Sequence, residues 1–544
     1  PESQLADGTL REAAGAALTR GFQHLDESFD ATNGGFGGAP KFPRASNLSF
    51  LFRLAALQGL RSDVGAEAVK LAAATLRAMA RGGIHDHVGG GYHRYSVDEA
   101  WFVPHFEKML YDQAQIAVNC LEAKQATGDE RFGWMARDIF DYVRRDLTSP
   151  AGGFYTAEDA DSEDGGPGAE DGGQGTEDGG RRTEDRRRHA EGAFYVWTAA
   201  ELRAVLGDGF AFLAAHFGVE ENGNVAAQLD PHGEFTGKNI LVQRRSLAET
   251  AGQFALTTEE ANDRLLAALA RLRDVRARRP RPQLDDKVLT ANNGLMISAL
   301  ARGSQVLGGE KENEKEEGER LVGSRSLLAG DGTPGMDKSP ASRRLQAGDE
   351  KSGTDESPAS RLLPAAIRAA EFVQRELYDP SRGVLFRAWR EGRGLNEGFA
   401  EDYAFFIQGL LDLYEASFEL RWLQWAERLQ GKMDELFWDE APVRQTQGRH
   451  GGYFNSAAGD PSIVLRLKED YDGAEPAPSS VAAMNLLRLG AMFGDGSEVP
   501  SADKSYRERG LRCIDAFRAR WTRAPHAMPQ MLCAVELALE PPRH

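Results

Sequence analysis

Apolar and polar positions fall into two alternating kinds of segment along this chain. One kind is one-sided: RLLAALARLRDVRARR, from Arg264, sets its leucines on one face and its arginines on the other, the pattern of an amphipathic helix. The other is apolar on nearly every side, as in DYAFFIQGLLDLYEASF from Asp402, which a helix tolerates only when other helices surround it. Glycine–aromatic turns separate them: NGGFGG at Asn33, GGGYHRY at Gly89, AGGFY at Ala151, RGVLF at Arg382 and HGGYF at His450. The apolar helices are predicted to begin near Pro43, Pro104, Val288, Asp402, Pro478 and Pro525. Six buried helices alternating with amphipathic ones predict an inner ring wrapped by an outer ring, an all-α (α/α)6 barrel forming a single domain over residues 1–544.

Three stretches break the pattern. Residues 192–245 (EGAFYVW, GNVAAQLDPHGEFTGKNIL) read as a short β-rich excursion from the barrel rim, with alternating runs punctuated by glycine. Residues 163–190 repeat a charged, glycine-rich heptad (EDGGPGA, EDGGQGT, EDGGRRT, EDRRRHA), and residues 308–362 carry KENEKEEGER and SPASR twice. Both lack the apolar residues that offset chain entropy, and both are expected to be disordered insertions.

Charge narrows the function. The 544 residues include 65 basic and 83 acidic side chains, a net charge of −18, which repels phosphate backbones and anionic lipid; no nucleic-acid or membrane partner is expected. No apolar run approaches the roughly 20 residues needed to cross a bilayer. Cys120, Cys513 and Cys533 form no CxxC pair, which argues against a disulfide scaffold, a cysteine zinc site and a thioredoxin-type redox centre. His85 and His87 lack a third ligand at helical spacing, so no metal and no cofactor is expected. The opening proline suggests a processed or truncated piece, and nothing in the sequence names a compartment.

The polar clusters lie in loops that lead from outer to inner helices and so meet at one barrel end, where inner helices present unpaired N–H groups. GGIHDHVGGGYHRYSVDEAWFVPHFEKMLYDQ carries His85, His87, Tyr92, His93, Arg94, Trp101, His105, Glu107 and Asp112. GGFYTAEDADSED carries Tyr155, Glu158, Asp159 and Asp161, and RPQLDDK carries Asp285 and Asp286, with Asn293 close behind. Glu401, Asp402 and Tyr403 open one inner helix; LRLKEDYDGAEP supplies Glu469, Asp470, Asp472 and Glu475 before another. Asp402, Asp286 and Ser46 would also serve as plain helix N-caps. Acids, amides and aromatic faces around a deep cup suit a sugar, whose hydroxyls take polar partners and whose ring faces stack.

At these motifs the chain resembles the spermatogenesis-associated protein 20 family, often labelled thioredoxin-domain-containing. The resemblance is carried by GGFGGAPKFPRASNL, the His85 and Tyr155 loops above, EGAFYVW, DPHGEFTGKNIL, RPQLDDKVLTANNGLMISALA, EDYAFFIQGLLDLYEA and LRLKEDYDGAEPAPSSVAAMNLLRL. It implies a barrel similar to six-hairpin glycosidases and the N-acylglucosamine 2-epimerase group, preceded in relatives by a thioredoxin-like domain that this stretch lacks. Two departures stand out: Asn292 where the family more often has tryptophan, and EPAPSS near Pro478 where a glycine–asparagine stretch is more common.

The implied partner is a small-molecule carbohydrate, and two mechanisms fit. Epimerisation or isomerisation would use histidine bases poised near neutral pH, with His85, His87 and His105 as candidates. Glycoside hydrolysis would use a carboxylic acid and a carboxylate, from Asp161, Asp286, Asp402 and Asp472. Tyr92, His93, Arg94, Trp101, Glu107, Tyr155, Glu158, Asp159, Asp285, Asn293, Glu401, Tyr403, Glu469 and Asp470 would hold the substrate. The concentration of histidines in one loop favours epimerisation; a non-catalytic carbohydrate- or protein-binding scaffold is the third reading. Asp402, in the first turn of its helix, is expected to be ionised at neutral pH.

Overall fold

The computed structural model describes residues 8–163, 189–308, 358–440, 450–459, 463–493 and 505–539. In chain order its helices are α1 (Gly8–Ser28), α2 (Ala45–Gln58), α3 (Asp63–Arg81), α4 (Leu110–Thr127), α5 (Glu130–Asp146), α6 (Ala199–Leu206), α7 (Phe210–Phe217), α8 (Leu247–Gln253) and α9 (Thr258–Arg276). After these come α10 (Thr290–Gly308), α11 (Leu362–Glu376), α12 (Ala400–Ser417), α13 (Leu420–Phe437), α14 (Pro478–Phe493), α15 (Tyr506–Ala516), α16 (Arg518–Arg523) and α17 (Pro529–Leu539).

Six of them close a ring. Helix α2 packs on α4, α4 on α10, α10 on α12, α12 on α14, α14 on α17, and α17 returns to α2. Helices α1, α3, α5, α11, α13 and α15 lie outside, each against inner neighbours. This is the (α/α)6 barrel that the alternating segments predict. The outer helices follow the one-sided pattern: α5 buries Phe132, Met135, Ala136, Ile139, Phe140 and Val143, spaced three and four apart, and leaves Glu130 and Arg145 exposed. The inner helices are enclosed, and α12 buries Tyr403 through Ile407 without a break. Helices α10 and α12 cross closely enough that a Cβ at Gly294 would stand 2.5 Å from the Phe405 carbonyl carbon, so glycine is required there.

The inner helices start near the predicted residues, with the largest shift at Pro104, where helix α4 waits until Leu110. The intervening residues form short strands. Lys108–Met109 pairs with Ala157–Glu158, which pairs in turn with Leu284–Asp285. These strands gather three loops at the end where the inner helices begin.

Residues 192–245 correct the β-rich expectation. They contain α6 and α7, turns, and a single Trp197–Asn239 bridge; a Thr198–Glu201 capping box starts α6 and overrides the alternation read in EGAFYVW. The Arg264 segment also lies elsewhere than expected. It belongs to α9, which packs on α6 and α8 rather than on the inner ring. Helices α6–α9 share their own core of Trp197, Leu202, Phe212, Leu213, Phe217, Leu265 and Leu272. Of the two expected insertions, residues 164–188 and 309–357 lie outside the described residues. The first leaves and returns on an antiparallel pair, Asp161–Glu163 with His189–Glu191.

Candidate active site

The mouth of the barrel gathers acids from three loops and two helix starts. On one side Arg94 donates to Glu107 at 2.7 Å, and His105 lies between Glu107 (3.7 Å) and Glu191 (2.8 Å). The two carboxylates push His105 up to about 9, and His105 and Arg94 hold Glu107 below its usual range. Next to them, on the first turn of α4, Asp112 is buried and its Oδ2 has no hydrogen-bond partner among the described residues. Burial raises Asp112 well above the carboxylate range; Arg94 opposes this, and Glu475 and Glu107 add to it. Tyr111, beside it, feels the charges of Asp112, Arg94 and Glu475.

On the other side Arg387 donates to Glu401 at 2.6 Å and lies 3.4 Å from Asp402. Glu475 stands by these residues with no donor among the described residues reaching its carboxyl group. Desolvation first, then the charges of Glu401 and Asp402, push Glu475 up to about 8, although Arg387 opposes them. The loop carrying Glu475 is tied over the mouth: Gln115 donates to the Ala474 carbonyl at 2.8 Å, and Arg44 to the Tyr471 hydroxyl.

Below the mouth, a cavity of about 280 Å³ runs along the barrel axis and is lined by residues of all six inner helices. Its deep end meets charges from all six inner helices, alternating in sign around the ring as Arg53, Glu122, Arg302, Asp412, Arg488 and Glu536, with Glu415 of α12 a second acid 2.8 Å from Arg488. These pair between neighbouring helices, Arg302–Glu122 at 3.0 Å, Arg488–Asp412 at 2.7 Å and Arg53–Glu536 at 3.8 Å. None of the six belongs to the polar loops that mark the mouth in the sequence. Their signal was present: Arg488 and Glu536 are lone charges on otherwise apolar helices, and Asp412 interrupts the apolar run of α12, placements that water-avoiding helices tolerate only with a partner.

Many of the predicted site residues lie elsewhere. His85 and His93 are buried, and His87 packs on Phe217 of α7, so this histidine loop is the seat of the α6–α9 unit and not the cup. Desolvation lowers His87 to about 3 and holds His93 well below its usual range. Tyr92 and Trp101 are core residues; Trp101 donates to the Gly34 carbonyl at 3.1 Å. Glu158 accepts from Tyr142 at 2.8 Å and Arg281 at 2.5 Å, and Asn293 clamps the Phe154 backbone. The Tyr403 hydroxyl accepts from the Leu385 N–H at 2.9 Å. Tyr155 is half-buried against the main core, and Asn292 is buried. Asp161 is exposed on its strand, Asp470 is exposed beside Arg520 at 3.4 Å, and Asp286 pairs with Arg390 at 2.6 Å. Asp159 and Asp285 line a second cavity of about 370 Å³ that shares Glu107 with the mouth.

Two aspartates act as helix caps. Asp472 accepts from the N–H groups of Ala477, Gln530 and Met531, which joins α14 to α17. Asp402 accepts from Phe399 and from Ala291 of α10, and it is fully enclosed. Against the expectation that Asp402 is simply ionised, burial pushes it up to about 7; Arg387 opposes the rise and Glu401 adds to it. Of the predicted set, Arg94, His105, Glu107, Glu401 and Glu469 share the mouth, while Asp112 and Glu475, outside that set, are its acids without a donor among the described residues. Among the described residues no group of three or more histidines, cysteines or acids could hold a metal ion.

No family model matches the chain. Spermatogenesis-associated protein 20 of Homo sapiens is 39% identical over 98% of this chain and 59% of its own length. The Mus musculus protein of that name is 38% identical over the same shares. An uncharacterized protein of Caenorhabditis elegans is 32% identical over 94% of this chain and 60% of its own. The chain thus spans about three fifths of the length of these curated relatives. Among solved structures, a sugar epimerase from a ruminal bacterium matches with a TM-score of 0.29 and 14% identity, covering 82% of this chain and 90% of its own. A family 76 glycoside hydrolase (mannosidase) from Bacteroides thetaiotaomicron matches with a TM-score of 0.43 and 8% identity, covering 98% of both chains.

Proposed function

The chain belongs to the spermatogenesis-associated protein 20 family, and for this member we propose a carbohydrate-active enzyme that cleaves a glycosidic bond with a carboxylic acid and a carboxylate at the barrel mouth. The observation that carries this reading is the placing of Glu475, which no donor among the described residues reaches, beside Glu401 held by Arg387; burial and the charges of Glu401 and Asp402 push Glu475 up to about 8. Two carboxylates crowded together, one deprived of donors and one held by arginine, divide into a proton donor and a charged partner. Glu475 keeps its proton at neutral pH and gives it to the departing glycosidic oxygen. Glu401, gripped by Arg387, faces the anomeric carbon or the water that attacks it. Asp112, also without a donor on its Oδ2, is a second protonated acid nearby.

Hydrolysis is preferred over epimerisation because of the histidines. His85, His87 and His93 are enclosed in the packing of the α6–α9 unit, and His105 is held in its charged form by two carboxylates, which leaves no poised imidazole base at the mouth among the described residues. A scaffold would be free to pair every acid; the unpaired Asp112 and Glu475 favour an enzyme. The test is incubation of the purified chain with aldoses, ketoses and oligosaccharides, followed by NMR of the anomeric protons. Release of new reducing ends that disappears in Glu475→Gln is the expected result. A C2-epimerised product with no cleavage would replace the proposal with the epimerase reading.

A further inference from the structure

We propose that the axial cavity beneath the mouth is a subsite for one uncharged sugar unit, so that the substrate enters end-on and presents a chain terminus rather than an internal link. This rests on the acid-pair reading of the mouth above it. Three observations support it.

The cavity is small. Its volume of about 280 Å³ lies at the bottom of the range of roughly 300–1,000 Å³ typical of ligand pockets, room for one ring and not for a chain. Its wall is continuous, because all six inner helices contribute, so a polymer cannot lie across it as it would in a groove.

The deep end carries the alternating ring of charges, with Glu415 the one lining residue beyond it. Long arginine and acid side chains bridging neighbouring helices occupy the lumen, which makes it a floor. A chain threading through would have to separate half-buried ion pairs and strip the largely enclosed Glu122, Asp412 and Glu536 of their arginines, at a cost that no new contact there offsets.

The polarity selects the ligand. With Glu415, which also lines the cavity and lies 2.8 Å from Arg488, four anions surround three cations, so an anionic ligand finds no spare cation. Above the floor the lining offers neutral groups instead: the hydroxyls of Ser46, Ser49 and Ser298 and the amides of Gln408 and Gln530. Hydroxyls and amides that donate and accept suit a neutral polyol.

The experiment is saturation-transfer NMR on the whole chain with glucose, mannose, galactose, N-acetylglucosamine, glucuronate and linear trisaccharides of the neutral sugars. The expected result is saturation of a neutral monosaccharide, or of one terminal ring of a trisaccharide, with glucuronate at least tenfold weaker. Gln408→Leu, close in volume and half-buried, should lower that affinity about tenfold or more with an unchanged melting temperature. Ser49→Ala is a second variant should the first fail to fold. Glu475→Gln should bind as the natural chain does, so loss of turnover in that variant speaks to the acid pair and not to this subsite. Equal saturation of internal and terminal rings, preferred binding of glucuronate, unchanged affinity in folded Gln408→Leu, or no binding of any of these sugars overturns the proposal.

Discussion

The loop around Asp86 and the loop around Glu475 look alike as strings of acids, glycines and aromatics, and the folded chain treats them oppositely. Asp86 is buried, and it has two cations within hydrogen-bond distance. Arg276 of α9 binds both of its oxygens at 2.8 Å, and the Lys108 Nζ lies at 2.7 Å. Burial alone would raise it, yet these charges hold it well below the carboxylate range. Glu475 is less enclosed, finds no donor, faces Glu401, and rises to about 8. Burial acts in the same direction on both carboxyl groups; the neighbouring charge decides the sign of the result. The first arrangement holds two parts of the molecule together, and the second leaves a proton available.

The widest separation between the two loops should appear in turnover. Glu475→Gln is expected to lower cleavage by about 10²–10⁴-fold, the usual worth of a positioned acid, with little change in melting temperature. Glu475→Gln with full activity on the same oligosaccharide would move the proton donor to Asp112.

Stability should show the reverse order. Asp86→Ala leaves Lys108 and Arg276 buried without their counter-charge and is expected to cost about 3–5 kcal/mol in chemical unfolding. If Asp86→Ala unfolds at the same denaturant concentration as the natural chain, the contrast drawn between the loops is wrong.

A smaller effect concerns pH. Glu475 and Asp402 titrate near 8 and 7 in the fold, against ordinary values of 4.5 and 3.8. Between those limits the unfolded chain has given up protons that the folded chain keeps, so stability falls as pH rises through this window. Below about 4 both states are protonated and this contribution vanishes; above about 8 the loss is complete. Melting curves from pH 5 to 8.5 should descend, and Glu475→Gln should flatten the descent. Cleavage should likewise decline as pH passes about 8.

The smallest change is expected at Asp402. An asparagine can still accept one of the two N–H bonds from Phe399 and Ala291, so Asp402→Asn should cost about 1 kcal/mol in unfolding and leave sugar binding intact. Lost binding with unchanged stability would return Asp402 to the site.

How much of this was legible beforehand depended on whether the signal was local. Helix type follows from periodicity, which is why Phe405 and Phe406 announce an inner helix and the spaced Phe132, Met135 and Ile139 an outer one. The excursion misled because EGAFYVW alternates like a strand, while the Thr198–Glu201 capping box immediately after it commits the chain to a helix. The histidines misled for a different reason. Their clustering in one loop is a fact of sequence, but Phe217, from a helix more than a hundred residues on, determines that His87 meets an apolar wall.

By itself, then, the sequence determined the helical ring, the order of inner and outer helices, the end at which polar loops collect, and the family. These rest on interactions between residues a few positions apart, repeated often enough to add. The tertiary structure alone decided which acids find arginines and which do not. It joined Arg53, Glu122, Arg302, Asp412, Arg488 and Glu536 into one ring, although they are spread over most of the chain. Coulomb energy between two charges depends on their separation in space and on the water left between them, and neither is written in the spacing of residues along the chain.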